Sequence, residues 1–119
     1  MKNIIKSFAF ACNGIKSCFV SEQNFRIHIL ATVLVAFFGF LFKISAAEWL
    51  AVIFCIAFVT VMEMINTAIE KLCDVVHKEI HPAIKKVKDI AAGAVLISAV
   101  FSLITAGIIF LPKIIMYLK

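Results

Sequence analysis

From Ile90 to Leu111 the chain runs without a single charged side chain. A helix needs about 20 apolar residues to cross the roughly 30 Å hydrocarbon core of a bilayer, and this stretch meets that length unaided, so it decides what solvent the fold must suit. Two shorter apolar stretches precede it. Residues 27–42 hold only His28 as a chargeable side chain, and residues 49–62 are bracketed by Glu48 and Glu63. The second reaches spanning length only if its helix continues through Glu63, Asn66 and Glu70, which carries acids into or near the membrane. Composition agrees, with 64% of the 119 residues hydrophobic and 16% charged. A chain this short leaves too much surface outside any core to hide that excess. A soluble globular domain, a disordered chain and a DNA-binding module are all excluded, and the net charge of +5 suits an anionic membrane surface.

The N-terminal segment follows a different pattern. At 100° per residue, Ile4, Ile5, Phe8, Ala11, Cys12, Ile15 and Phe19 fall within an arc of about 120°, opposite Lys2, Lys6, Asn13, Lys16 and Ser17. This predicts a basic amphipathic helix lying in the membrane interface. Phe10, on its polar side, is an interfacial anchor or part of a site. The expected fold is all-α and integral to the membrane: a single domain over 1–119, a surface helix over about 2–20, and spans over about 27–43, 48–74 and 89–111. Pro112 is expected to end the last helix.

Four cationic residues (Lys2, Lys6, Lys16, Arg26) precede the first span and only Lys43 follows it. Lys71, Lys78, Lys85, Lys86 and Lys88 surround the second connection, and Lys113 and Lys119 form the tail. The positive-inside rule then predicts a cytoplasmic N-terminus and second connection, with the first connection and C-terminus outside. No long apolar region precedes a small-residue cleavage site, so a cleaved signal peptide is not expected. Cys12, Cys18, Cys55 and Cys73 lack metal or disulfide spacing and are expected as small hydrophobes.

Candidate chemistry lies in Glu63-Met-Ile-Asn66-Thr-Ala-Ile-Glu70-Lys-Leu-Cys-Asp74. In a helical projection Asn66, Glu70 and Asp74 all fall within about 60° of Glu63, on one face at the membrane boundary. Acids there are costly and usually mark function, the alternative being a solvated helix end beyond the membrane, which suits Asp74 better than Glu63. Three on one stripe repel unless a cation or shared protons relieve them, and Mg²⁺ with nucleotide phosphates is a common relief. Glu22 and Arg26 are spaced as an i,i+4 pair, and Asp89 near the start of the last helix suits the helix dipole or a site. Ala91-Ala92-Gly93-Ala94 keeps side chains small, for close helix packing or close approach of a ligand. His77 and His81 continue the stripe, but with His28 far off in sequence a transition-metal site is disfavoured.

The run Glu63-x-x-Asn66-Thr67-Ala68-Ile69-Glu70-x-x-x-Asp74, followed by Lys88-Asp89-x-Ala91-Ala92-Gly93-Ala94-Val95, resembles the signature of the small prokaryotic diacylglycerol kinases, a family that includes undecaprenol kinases. Glu22-x-x-Phe25-Arg26 and the N-terminal helix extend the resemblance over nearly the whole chain. It implies a homotrimer in the bacterial inner membrane, with composite active sites on the cytoplasmic side. It also implies ATP-dependent phosphorylation of a lipid hydroxyl, on diacylglycerol or undecaprenol, with Mg²⁺ as cofactor.

Carried over by motif, Glu63 is the general base and meets the acceptor lipid with Arg26, while Asn66 holds the reacting groups. Glu22 and Glu70 bind the metal with the nucleotide. Asp74, Glu79, His81, Lys88 and Asp89 complete the nucleotide side. The chain departs from the proteobacterial members at Ile27-His28, where they carry Gln-Glu, and at Phe10-Ala11, where they carry an aromatic-serine pair. The Asn24-Phe25-Arg26-Ile27-His28 run is similar to the undecaprenol-kinase-like branch. No glycine-rich phosphate loop is present, so helix side chains must hold the nucleotide. A different class, a small oligomeric protein whose acids line a cation path, remains open at this point.

Overall fold

The computed structural model describes residues 2–77, 79 and 81–119, apart from the side chain of Lys2. Lys78, one of the lysines expected on the cytoplasmic side, lies outside them. Four helices follow one another: α1 Lys2–Ser21, α2 Gln23–Leu41, α3 Ala46–Val76 and α4 Pro82–Leu118. The last three are long and apolar enough to cross a membrane. At 1.5 Å per residue the 31 residues of α3 and the 37 of α4 measure about 46 and 55 Å, well beyond a hydrocarbon core. The acidic stripe occupies the C-terminal turns of α3, and the lysines of α4 are concentrated in its first turns.

α3 is the hub. It packs most extensively on α4 and next on α2, while α1 touches α2 and α3. Among the described residues α2 and α4 lean on α3 but not on each other, which leaves a groove between them. A small core of Ile44, Val52 and Ile109 fills the end near the α2–α3 turn, with Trp49, Phe42 and Phe110 against it. Most large apolar side chains stay on the outside, Phe40, Phe54 and Leu103 among them. That distribution is stable only in lipid or against other protein.

The α2–α3 turn is a Schellman motif. Ile44 N–H donates to the Gly39 carbonyl at 3.1 Å and Lys43 N–H to Phe40 at 3.3 Å. Lys43 takes the left-handed conformation, φ 53°, usually given to glycine. Ser45 then opens α3 with a capping box: its hydroxyl accepts from Glu48 N–H at 3.2 Å, and its own N–H donates to Glu48 Oε1 at 2.9 Å. Lys113 of α4 reaches the same Glu48 carboxylate at 3.3 Å.

Both ends of α4 differ from expectation. α4 passes through Pro112 and runs on to Leu118. Proline removes one backbone donor, and the Lys113–Glu48 pair and the Tyr117–Phe42 ring contact hold the turns beyond it. α4 also begins at Pro82, which suits the first helical position, behind a His81 N-cap whose Nδ1 accepts from Ala83 N–H at 3.1 Å. Asp89 therefore lies about two turns inside the helix. The dipole argument for it fails, because that effect is confined to the first turn.

Candidate functional site

The acidic stripe of α3 runs along a steep gradient of burial. The Glu63 side chain is 6% exposed and that of Asp74 67%, with Asn66 and Glu70 half-buried between them. Helix periodicity puts all four on one face, and the packing of α2 and α4 on α3 shields only the deep end. Seven residues separate Glu63 from Glu70, about 10 Å along the axis.

Each polar group on this face has a different neighbour. His28, from the first apolar stretch, brings Nε2 to 3.0 Å from Glu63 Oε1. Residues 35 apart in sequence thus meet across α2 and α3. Asn66 donates its amide to Glu70 Oε1 at 3.1 Å, one turn along α3. Its own Oδ1 is buried without a partner, a state that a ligand or cation can relieve. At the exposed end Lys88 of α4 donates to Asp74 Oδ1 at 2.6 Å. That bond raises the Lys88 ammonium above the ordinary lysine range, so Lys88 is a cation at every physiological pH. Asp89 pairs with Lys85 at 2.7 Å.

Glu22 occupies the N-cap position of α2 in extended conformation, half-buried, without capping through its side chain. The expected i,i+4 pairing with Arg26 is not the one formed. Arg26 Nη1 donates instead to the Phe19 and Val20 carbonyls, each at 2.9 Å, at the C-terminal end of α1. These carbonyls are the free acceptors that a helix end leaves. The arginine joins α1 to α2.

The two histidines beyond the stripe do not continue it, because α3 ends at Val76 and His77 is extended. His77 Nδ1 lies 2.9 Å from the Glu79 carbonyl, and the His77 and His81 rings are 5.3 Å apart. Glu79 and His81 are exposed in the connection between α3 and α4. Among the described residues no three His, Cys, Asp or Glu side chains converge as a metal site. All four cysteines are free.

The structure thus gathers Glu63 with His28, Asn66 with Glu70, and Asp74 with Lys88, and leaves Glu22 outside these contacts. Sequence reasoning missed the His28 contact. The signal was present, since a lone ionisable residue in an apolar span has to find a partner.

Residues 9–110 match the prokaryotic diacylglycerol kinase family. The chain belongs to that family. This kinase is 40% identical to an undecaprenol kinase of Bacillus subtilis, over 95% of this chain and 92% of that protein. It is 34% identical to a diacylglycerol kinase of Synechocystis, over 92% of this chain and 63% of that one. A diacylglycerol kinase of Escherichia coli is 28% identical, over 86% and 84% respectively. Membership makes the chain a lipid kinase with membrane-crossing helices, and it disfavours the reading of the stripe as a cation path.

Proposed function

We propose that this kinase transfers the γ-phosphoryl group of ATP to the hydroxyl of a membrane lipid, with undecaprenol favoured over diacylglycerol as acceptor. The observation that carries the reading is the burial gradient from Glu63 to Asp74. A carboxylate at the deep end can meet a lipid hydroxyl without the lipid leaving the bilayer. Groups at the shallow end meet a nucleotide arriving from water. The choice of acceptor is supported by the identity to an undecaprenol kinase and by the run from Asn24 to His28.

Phosphoryl transfer needs alignment, charge neutralisation and a proton acceptor more than covalent help from the protein. In this reading Glu63 takes the proton of the lipid hydroxyl as its oxygen bonds to the γ-phosphorus, and ADP leaves. Asn66 positions the reacting groups through its unpartnered Oδ1, and Arg26 lies on the acceptor side. Lys88 supplies a point charge toward the phosphates, with Asp74, Asp89, Glu79 and His81 bordering the nucleotide.

Mg²⁺ fits this donor set. It binds through one or two carboxylates with substrate phosphates rather than in an all-protein cage, and Glu70 and the Asn66 Oδ1 beside it are oxygen donors. Glu70 and Glu22 would hold it, and bound there it neutralises charge on the phosphates. The protein is further proposed to be a homotrimer of the bacterial inner membrane with sites shared between protomers. Its N-terminus and active site face the cytoplasm, and α1 lies as an amphipathic helix in the interface.

Purified protein in mixed micelles with radiolabelled ATP and Mg²⁺ tests the reading. Undecaprenol, diacylglycerol and a water-soluble alcohol are offered separately. Transfer to undecaprenol is expected to be fastest and transfer to the soluble alcohol negligible. Equal rates on the soluble alcohol contradict an acceptor presented by the bilayer.

A further inference from the structure

His28 is the one chargeable residue in the apolar stretch 27–42, and it faces the deepest acid of the stripe. Its side chain is 27% exposed against 6% for Glu63. An uncompensated polar group in an apolar span costs several kcal/mol, so the contact accounts for the presence of both. His28 also edges a groove of about 270 Å³ between α2, α3 and α4. The hydroxyls of Thr32, Thr60 and Thr105 on its walls donate to carbonyls of their own helices. The groove is thus largely apolar, with the His28 ring as its one chargeable lining group among the described residues.

We propose that His28 is a positioning residue for phosphoryl transfer. Its Nε2 fixes one oxygen of the Glu63 carboxylate and leaves the other to face the acceptor hydroxyl. Glu63 sits on a single helix with three rotatable bonds. Among the described residues its carboxylate has no ion-pair or hydrogen-bond partner other than His28 Nε2, so without that ring nothing on α2 sets its direction. The proposal rests on Glu63 as the base.

Two amides of similar polarity separate position from mere polarity. In His28→Gln the side-chain nitrogen reaches about as far as Nε2, whereas in His28→Asn it stops near Nδ1. In mixed micelles with undecaprenol and ATP, His28→Asn is expected to lower kcat about tenfold or more, since small displacements of reacting groups are costly. The KM for ATP stays unchanged, and His28→Gln keeps most of the rate. On a Glu63→Gln background His28→Asn should add less than a further twofold, because the carboxylate it orients is gone. Equal losses for the Asn and Gln variants overturn the proposal, as does a full multiplicative loss on the Glu63→Gln background. A Glu63→Gln variant within twofold of the parent removes the base itself, and the proposal with it, whatever His28 does. Each variant is checked against the parent by size exclusion before rates are compared. If the Asn variant does not fold, the Gln variant alone decides, and a tenfold loss there overturns the proposal.

Discussion

Glu63 and Glu70 share a helix face, so the roles proposed for them are separated by position along the helix rather than direction. Glu63→Gln keeps the shape and removes the proposed base. It is expected to lower kcat about 10²-fold or more while ATP still binds, because general-base catalysis contributes about 10²–10⁴-fold. Glu70→Gln should weaken the binding of Mg²⁺ with ATP and regain part of its activity at higher Mg²⁺. Rescue of Glu63→Gln by Mg²⁺, with Glu70→Gln left inactive, shows that the roles are reversed. At this scale the stripe itself was legible, because helical spacing is a local property and puts Glu63, Asn66, Glu70 and Asp74 together without any knowledge of the fold. The partners were not. His28 lies 35 residues from Glu63 and Lys88 lies 14 from Asp74, and only the packing of α2 and α4 on α3 decides that they meet. Arg26 shows the opposite failure, since a favourable i,i+4 spacing to Glu22 yields to the unsatisfied carbonyls of α1.

Among the elements, the α2–α3 turn is the most constrained. A Cβ on Gly39 would stand 2.6 Å from the Trp49 ring, which also packs on Phe40 with centroids 4.9 Å apart. Gly39→Ala is expected to displace that ring and to destabilise by about 1–3 kcal/mol, the usual range for overpacking. Trp49 is the sole tryptophan of the chain, so its emission reports the displacement directly and thermal unfolding in micelles reports the loss. Lys43→Gly should act in the other direction. It removes the left-handed strain of a residue with a Cβ, worth about 1 kcal/mol, and leaves both Schellman hydrogen bonds in place. A lower melting temperature for Lys43→Gly would mean that the lysine charge matters more than its backbone. The three spans were legible as elements because uncharged length is a one-dimensional signal. The ends were less so. Pro112 carries a breaker's sequence signature, but losing one donor in a long packed helix is cheaper than unwinding turns held by Lys113 and Tyr117.

On the scale of the whole molecule, an apolar exterior fixes the medium, and charge carries the proposed direction of crossing. A side chain facing lipid and one facing another copy are equally apolar, so the sequence pattern that reveals the spans is silent on assembly. The proposed orientation does have a signal in the sequence. Four cations precede the first span against one after it, a contrast that supports the proposed orientation, with the N-terminus and the connection between α3 and α4 in the cytoplasm. Cysteine labelling of intact cells reads this directly once Cys12, Cys18, Cys55 and Cys73, all free thiols, have been replaced. Ala47 and Lys86 are exposed and outside the ion pairs and caps at either end, so a single cysteine at each reports its side without disturbing the fold. Ala47→Cys should react with an impermeant maleimide added outside, and Lys86→Cys only after the membrane is permeabilised. The reverse pattern would put Asp74 and Lys88 on the side without ATP. A kinase cannot draw its phosphoryl donor from there, so that result would overturn the assignment of the stripe's shallow end to the nucleotide.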